Sequence, residues 1–220
     1  MFDSIAKNYD FLNHSLSFCM DFYWRRKAIS KLKNKPKTIL DIATGTADFA
    51  IAASKIKDAQ IVGIDISKKM LEIGNQKIKR KGLDNNISLQ LADSENLPFS
   101  INSFDAVTVG FGVRNFENLK LGLSEIYRVM KKDSIVVILE PSKPKISPIK
   151  EIYDIYFHYV LPFFGRLISK NNIAYQYLPN SVNTFPKTKD FLKILKEVGF
   201  SKYEHIPLTF GIIALYIAIK

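Results

Sequence analysis

Five short apolar runs between positions 38 and 139 constrain this chain more than any other feature. They cover 38–43, 60–66, 87–92, 104–109 and 134–139. Each is apolar on both faces, so each needs cover on both sides, the habit of parallel strands. Helical patterns separate several of them: 48–56, a segment capped by Ser67 that runs to about Arg80 and stops at Gly82, and 119–130. Parallel strands need crossovers, and crossovers are right-handed. The expected fold class is therefore α/β, a Rossmann-like doubly wound sheet with helices on both faces.

Past Pro141 the pattern changes. Residues 142–187 are rich in Pro, Tyr and Phe, lack clear strands, and read as a helical, aromatic cap inserted into the sheet fold. A helix over 190–198 ends at Gly199. Two strand-like runs, 203–208 and 212–219, close around Thr209-Phe210-Gly211 and predict a hairpin. The opening segment, 1–35, looks helical around 8–12 and 22–31 and is expected to fold as a lid over the sheet's open end. All 220 residues are expected to form a single domain.

Composition excludes several classes. With 47% apolar and 24% charged residues, disorder and collagen-like repeats are out. A single cysteine, Cys19, excludes an internal disulfide framework and a Cys-based zinc ribbon. His14, His158 and His205 lack ligand spacing, so no metal is expected. The longest apolar stretches, 135–139 and 212–219, are far short of the roughly 20 residues that span a bilayer. Met1-Phe2-Asp3-Ser4 opens no signal peptide, and a cytoplasmic location is expected. The net charge of +11 comes from scattered basic residues with no aromatic RNA-binding motif beside them, so no nucleic-acid partner is expected.

Four signals fall at the carboxyl ends of the expected strands. Leu40-Asp41-Ile42-Ala43-Thr44-Gly45-Thr46-Ala47-Asp48 passes from a strand through small residues into a helix. Small residues let a backbone approach a ligand, and a helix start offers free N–H groups. Only Gly45 is present where a pyrophosphate cradle wants three glycines, so a phosphate site is poorly supported. Asp65, 24 residues after Asp41, is placed to accept both hydroxyls of a ribose. Asp93-Ser94 follows the third strand, where an acid can meet an adenine amino group. Gly110 and Gly112 follow the fourth and leave room for a ligand. One crevice gathers all four, which points to a nucleoside ligand.

These segments resemble the class I S-adenosylmethionine-dependent methyltransferases. The whole chain resembles more narrowly the quinone C-methyltransferase family of menaquinone and ubiquinone biosynthesis. That likeness rests on Phe2-Asp3-Ser4-Ile5-Ala6-Lys7-Asn8-Tyr9-Asp10, Trp24-Arg25-Arg26, the turn after Leu40, Phe111-Gly112-Val113-Arg114-Asn115, Leu139-Glu140-Pro141-Ser142-Lys143-Pro144, Tyr175-Gln176-Tyr177-Leu178-Pro179-Asn180-Ser181 and Leu208-Thr209-Phe210-Gly211-Ile212. The resemblance implies a seven-stranded sheet with an antiparallel last strand. It implies S-adenosyl-L-methionine as cofactor, with Thr46, Asp65, Asp93, Ser94 and Gly110 as contacts beside Asp41 and Gly45 of the turn. Four positions depart from the family pattern: Ala47 in place of the turn's final glycine, Gly110 in place of the serine of some relatives, and Cys19 and Asp21 where relatives often have glycine and histidine.

The implied reaction is methylation of a ring carbon of demethylmenaquinol, giving menaquinol in the last step of that pathway. Ring carbon is a poor nucleophile until the neighbouring hydroxyl loses its proton, so the site needs a group that favours the phenolate. Arg114 is the first choice, with Asn115 on the same oxygen and Tyr9 completing the site. A guanidinium of pKa above 12 stabilises an anion rather than acting as the base. The expected partners are a prenylated quinol, the surface of an anionic membrane at its inner face, and a second copy of the chain in a homodimer. Tyr153, Tyr156, Phe157, Tyr159, Phe163 and Phe164 of the cap are candidates to line an apolar pocket, with His158 among them. Two other readings stay open: methylation of a ubiquinone-pathway quinol or another phenol, and a non-catalytic nucleoside- or RNA-binding protein on the same fold.

Overall fold

The structure, a computed structural model, describes residues 2–156 and 181–220. His158, Phe157, Tyr159, Phe163, Phe164 and the 175–180 motif lie outside them. Seven strands form one sheet: β1 (Thr38–Ile42), β2 (Gln60–Asp65), β3 (Ile87–Leu91), β4 (Phe104–Gly110), β5 (Met130–Pro141), β6 (Lys202–Leu208) and β7 (Ile213–Ile219). Their order is β3-β2-β1-β4-β5-β7-β6. The first five are parallel, and β7 runs antiparallel between β5 and β6. The carboxyl ends of β1 to β5 therefore share one edge, and the β6–β7 turn joins them there, because Pro141 pairs with Ile213.

The helices are α1 (Phe2–Leu16), α2 (Met20–Ile29), α3 (Asp48–Ala53), α4 (Lys68–Arg80), α5 (Leu119–Val129), α6 (Ile149–Ile155) and α7 (Thr188–Val198). Alternation along each strand sorts the core into two layers. Ile39, Ile61, Val137, Leu139 and Leu215 pack under Trp24 and Ala28 of α2 and Phe49 and Ala50 of α3. Leu40, Ile42, Val107, Ile138 and Tyr216 pack under Leu123 and Ile126 of α5 and Phe191 and Leu195 of α7. Both faces are covered, as the uninterrupted apolar runs required.

Local signals hold where they have a mechanism. Ser67 caps α4, its Oγ accepting from the Met70 N–H at 3.3 Å. Gly82 and Gly199 follow α4 and α7 at positive φ. Differences arise where polar residues mask an element. The sequence reading ran the helix after Asn118 to Met130 and began the strand at Ser134. In the fold the helix stops at Val129 and the strand starts at Met130, because Lys131 and Lys132 form its exposed entry. Asp133, at φ 60°, breaks its regularity. The helix over 48–56 is shorter, ending at Ala53. The N-terminal helix is much longer than 8–12, because Asp3 and Asp10 sit on the face packed against α4 and interrupt its apolar period.

Candidate functional site

The turn after β1 is built from left-handed residues. Ala43, Gly45 and Ala47 have φ of 52°, 55° and 70°. Two of the three carry a Cβ, so the turn holds strain that glycine would relieve. Asp41 braces it from below. Its carboxylate is fully buried and accepts the Thr44 hydroxyl at 2.5 Å and the Thr108 hydroxyl at 2.6 Å. Burial pushes the Asp41 carboxyl up to about 6, against the pull of both hydroxyls.

Asp65 closes β2 at the crevice. One carboxylate oxygen accepts the Gly45 N–H and the other the Ser67 N–H, each at 2.8 Å. An ionised carboxylate offers about four lone-pair sites, so both oxygens keep acceptor capacity toward the crevice. Burial raises its pKa, against the two amides. Gly45, Asp65, Ser94, Gly110, Asn115 and Tyr9 share the crevice wall with the apolar Ile66, Met70, Phe111 and Phe116. At Gly110 an added Cβ would fall 2.7 Å from Phe49 Cδ1, so that glycine admits a ring from α3 as well as a ligand.

Three expected contacts are placed elsewhere. Asp41 lies beneath the turn. Asp93 is exposed and turns its Oδ1 back to the Glu95 N–H at 2.9 Å. Thr46 is buried and donates to Asp10 of α1 at 2.5 Å. The structure thus brings together Gly45, Asp65, Ser94 and Gly110, with Asp41 and Thr46 acting behind the wall. Ile66 and Met70 were missed, although an exposed isoleucine directly after the strand-end Asp65 was a signal in plain view.

α1 lies across the crevice. Asp3 accepts the Ser67 hydroxyl at 2.5 Å and the Lys69 N–H at 3.3 Å at the start of α4. Asp10 meets Lys77 Nζ at 2.8 Å, and Lys77 also binds Asp48 of α3. Between these anchors Tyr9 stands over the turn, where a side chain built on Gly45 would come within 3.9 Å of its ring. About 80 Å³ of cavity remains beneath. Ordinary ligand pockets hold about 300–1,000 Å³, so α1 must tilt to admit a nucleoside.

Asp10, His14 and Asp48 place ligand atoms within 4.8 Å of one another. Lys77 and Arg25 already neutralise the two carboxylates, so the cluster is an ionic latch. Asp21 extends it by binding Arg25 and, at 2.7 Å, His14. Burial works to raise the Asp21 carboxyl, and Arg25 with Ser17 outweighs it and holds it below the usual range. Cys19, just before α2, has φ 58°, the conformation that favours the glycine expected there.

Arg114 sits in the 3-10 turn Val113–Asn115 that follows β4. Its side chain is 10% exposed and is held through Nε and Nη1. Nη1 donates to Glu140 Oε2 at 2.9 Å and to the Phe111 carbonyl, Nε donates to Ser181 Oγ at 3.3 Å, and its backbone N–H donates to Glu140 Oε1 at 3.3 Å. Glu140 is wholly buried at the end of β5; burial raises its pKa, and Arg114 opposes the rise. Glu140 has no role in the sequence analysis, because it lies 26 residues from Arg114 and meets it only through the pairing of β4 with β5. Burial raises the Tyr9 phenol, its Asn13 hydrogen bond lowers it, and Arg114 and Arg25 pull it down further.

Comparison with known proteins places this chain in a family. The sequence model of the ubiE/COQ5 methyltransferase family matches residues 1–220. The chain is 48% identical to a demethylmenaquinone methyltransferase of Bacteroides fragilis, over 100% of this chain and 91% of that one. It is 45% identical to a protein of the same name from Chlorobaculum tepidum, covering 100% and 90%. A ubiquinone/menaquinone biosynthesis C-methyltransferase UbiE of Geotalea daltonii is 46% identical over 98% and 93%. Among solved structures, a candidate S-adenosyl-L-methionine-dependent methyltransferase from Methanococcus maripaludis superposes with TM-score 0.72 at 25% identity, covering 100% and 94%.

Proposed function

From the premise that this chain belongs to the ubiE/COQ5 methyltransferase family, we propose that it methylates a ring carbon of demethylmenaquinol to give menaquinol. It is an S-adenosyl-L-methionine-dependent methyltransferase. The crevice chemistry fits that cofactor: an ionisable carboxylate for the ribose at Asp65, a hydroxyl at Ser94, apolar flanks at Ile66 and Met70, and close backbone approach at Gly45 and Gly110. Bound there, it supplies an electrophilic methyl group. Asp93 joins Ser94 at the adenine by turning its carboxylate inward, while Thr46 and Asp41 hold the turn in shape.

The observation that carries the reading is the Arg114–Glu140 pair, buried at the end of β4 directly behind Phe111 and Asn115 of the crevice wall. Arg114 donates to the quinol oxygen and stabilises its anion in a water-poor site. Asn115 orients the same oxygen, and Tyr9 closes the crevice over it. In the reaction the quinol O–H loses its proton. A new C–C bond forms as the S–CH3 bond breaks. The ring carbon then releases its hydrogen as a proton, which restores the aromatic ring, and the oxygen takes a proton back from solvent to give the quinol, one proton being released overall. Excluding water beneath Tyr9 protects the donor from hydrolysis.

A prenylated acceptor resides in a bilayer, and the surface supports peripheral contact there. Phe210 is 70% and Ile146 64% exposed, amid Lys143, Lys145 and Lys150. Among the described residues no helix is long and apolar enough to cross a membrane. The location proposed is the cytoplasm, with contact at the inner face of an anionic membrane.

The test is an assay with radiolabelled methyl donor and reduced short-tailed acceptors, naphthoquinol and benzoquinol in parallel. Label in the naphthoquinol ring supports the reading. Label only in the benzoquinol selects the ubiquinone-type reading, and no label in either removes both.

A further inference from the structure

A second cavity opens on the same sheet edge, on the α5–α7 face of β5 and β7. It holds about 760 Å³, nearly ten times the space in the crevice. Three segments far apart in sequence wall it: the loop after β5 from Pro141 to Ile146, the stretch from Val182 to Thr188, and the β6–β7 turn around Phe210. Its deep wall is Tyr216, buried against Phe191 and 5.2 Å, ring to ring, from His205.

Arg114 stands between the two spaces. Its neighbours Phe111 and Asn115 line the crevice. Its partners Glu140 and Ser181 immediately precede Pro141 and Val182, which line the second cavity. A molecule docked from the cavity side with a polar head on Arg114 faces the crevice across that residue.

Pro141, Pro144, Val182, Phe185 and Pro207 supply apolar wall, beside the polar Ser142, Asn183 and Thr188. His205 adds a ring whose buried Nε2 meets no hydrogen-bond partner among the described residues. Burial, and then Lys145, hold its pKa below the usual value, which keeps that wall uncharged. Lys143, Lys145, Lys150 and Lys187 are exposed around the opening.

Building on the quinol reading above, we propose that this cavity is the acceptor's tail site: it takes the first isoprenoid units of the substrate, ring toward Arg114 and tail toward the lysine-ringed mouth. Volume, apolar depth and position all match an unbranched route from a bilayer to the reacting carbon. Each buried CH₂ contributes roughly 0.8 kcal/mol, so lost burial of one isoprenoid unit changes affinity by at least about tenfold.

Two blocking variants, Val182→Trp and His205→Trp, fill the cavity from opposite walls. The first readout is the ratio of kcat/KM for a tailed over a tail-less quinol, which should fall about tenfold or more in both variants. The second is equilibrium dialysis with radiolabelled farnesol, which should bind the wild-type protein saturably and either variant weakly. Calorimetric binding of S-adenosylmethionine reports that each variant is folded. Unchanged ratios and farnesol binding in a folded variant overturn the proposal, as does a wild type that binds no farnesol. A wild type that binds farnesol yet methylates no quinol leaves the cavity standing and removes the quinol reading instead.

Discussion

The crevice at the ends of β1 to β4 and the cavity beside β5 and β7 sit on one sheet edge and are made in opposite ways. Asp65 and Gly110 close their own strands, and Gly45 and Ser94 lie in the turns just past theirs, so chain connectivity alone delivers all four to one line. The cavity needs three segments, near 141, 185 and 210, that only tertiary packing brings together. The crevice is tight and polar, with α1 pinned over it. The cavity is wide, apolar and rimmed by lysines. A shared, general cofactor suits the first construction, and a particular acceptor suits the second.

Arg114 belongs to both, so its removal should have the largest effect. Arg114→Ala is expected to lower kcat about 10²–10³-fold with cofactor affinity unchanged by calorimetry, as for loss of one oxyanion-stabilising donor. A similar loss of cofactor binding would erase the distinction between the two spaces. Glu140→Ala strands the buried guanidinium and should cost about 3–5 kcal/mol in urea unfolding. Glu140→Gln keeps a hydrogen-bonding side chain and should recover much of that stability, while shifting the pH profile of kcat. A fully normal pH profile in that variant would confine Glu140 to a scaffold role.

Smaller effects should stay on one side. Lys77→Ala unpins α1 from α3 and α4 without touching the cavity. Cofactor release measured by stopped flow should quicken about three- to tenfold, and the tailed-to-tail-less preference should not move. Asp41 gives the smallest signal and a definite sign. Burial lifts its folded pKa to about 6, above the ordinary aspartate value of 3.8, so the folded state holds the extra proton between them. The contribution is full below about pH 4 and is lost as pH rises through about 6. Stability of the wild type should therefore decline across that window, and Asp41→Asn should flatten the decline in parallel urea titrations.

Legibility followed the same divide. Strand positions and the crevice came from patterns that act locally: apolar runs covered on both faces, a cap at Ser67, an acid at a strand end. Side-chain direction was not legible in the same way. The Thr46 hydroxyl is held by Asp10, 36 residues earlier. The Asp93 carboxylate accepts from the Glu95 N–H two residues on. Nothing in a linear reading ties Glu140 to Arg114, which meet through the pairing of β4 with β5, or brings Phe210 to the same cavity as Ile146, which depends on the register of β5 with β7.

That register has a consequence for folding. Ile213–Ile219 follows the other described strands along the chain yet lies between two of them, and Lys220 Nζ reaches back to the Met130 carbonyl at 2.7 Å. Until it docks, β5 presents an open row of amides and carbonyls beside an otherwise assembled parallel sheet. Such an unzipped flank is what chaperones bind and what aggregates recruit, so insertion of this one strand ends the vulnerable interval of folding.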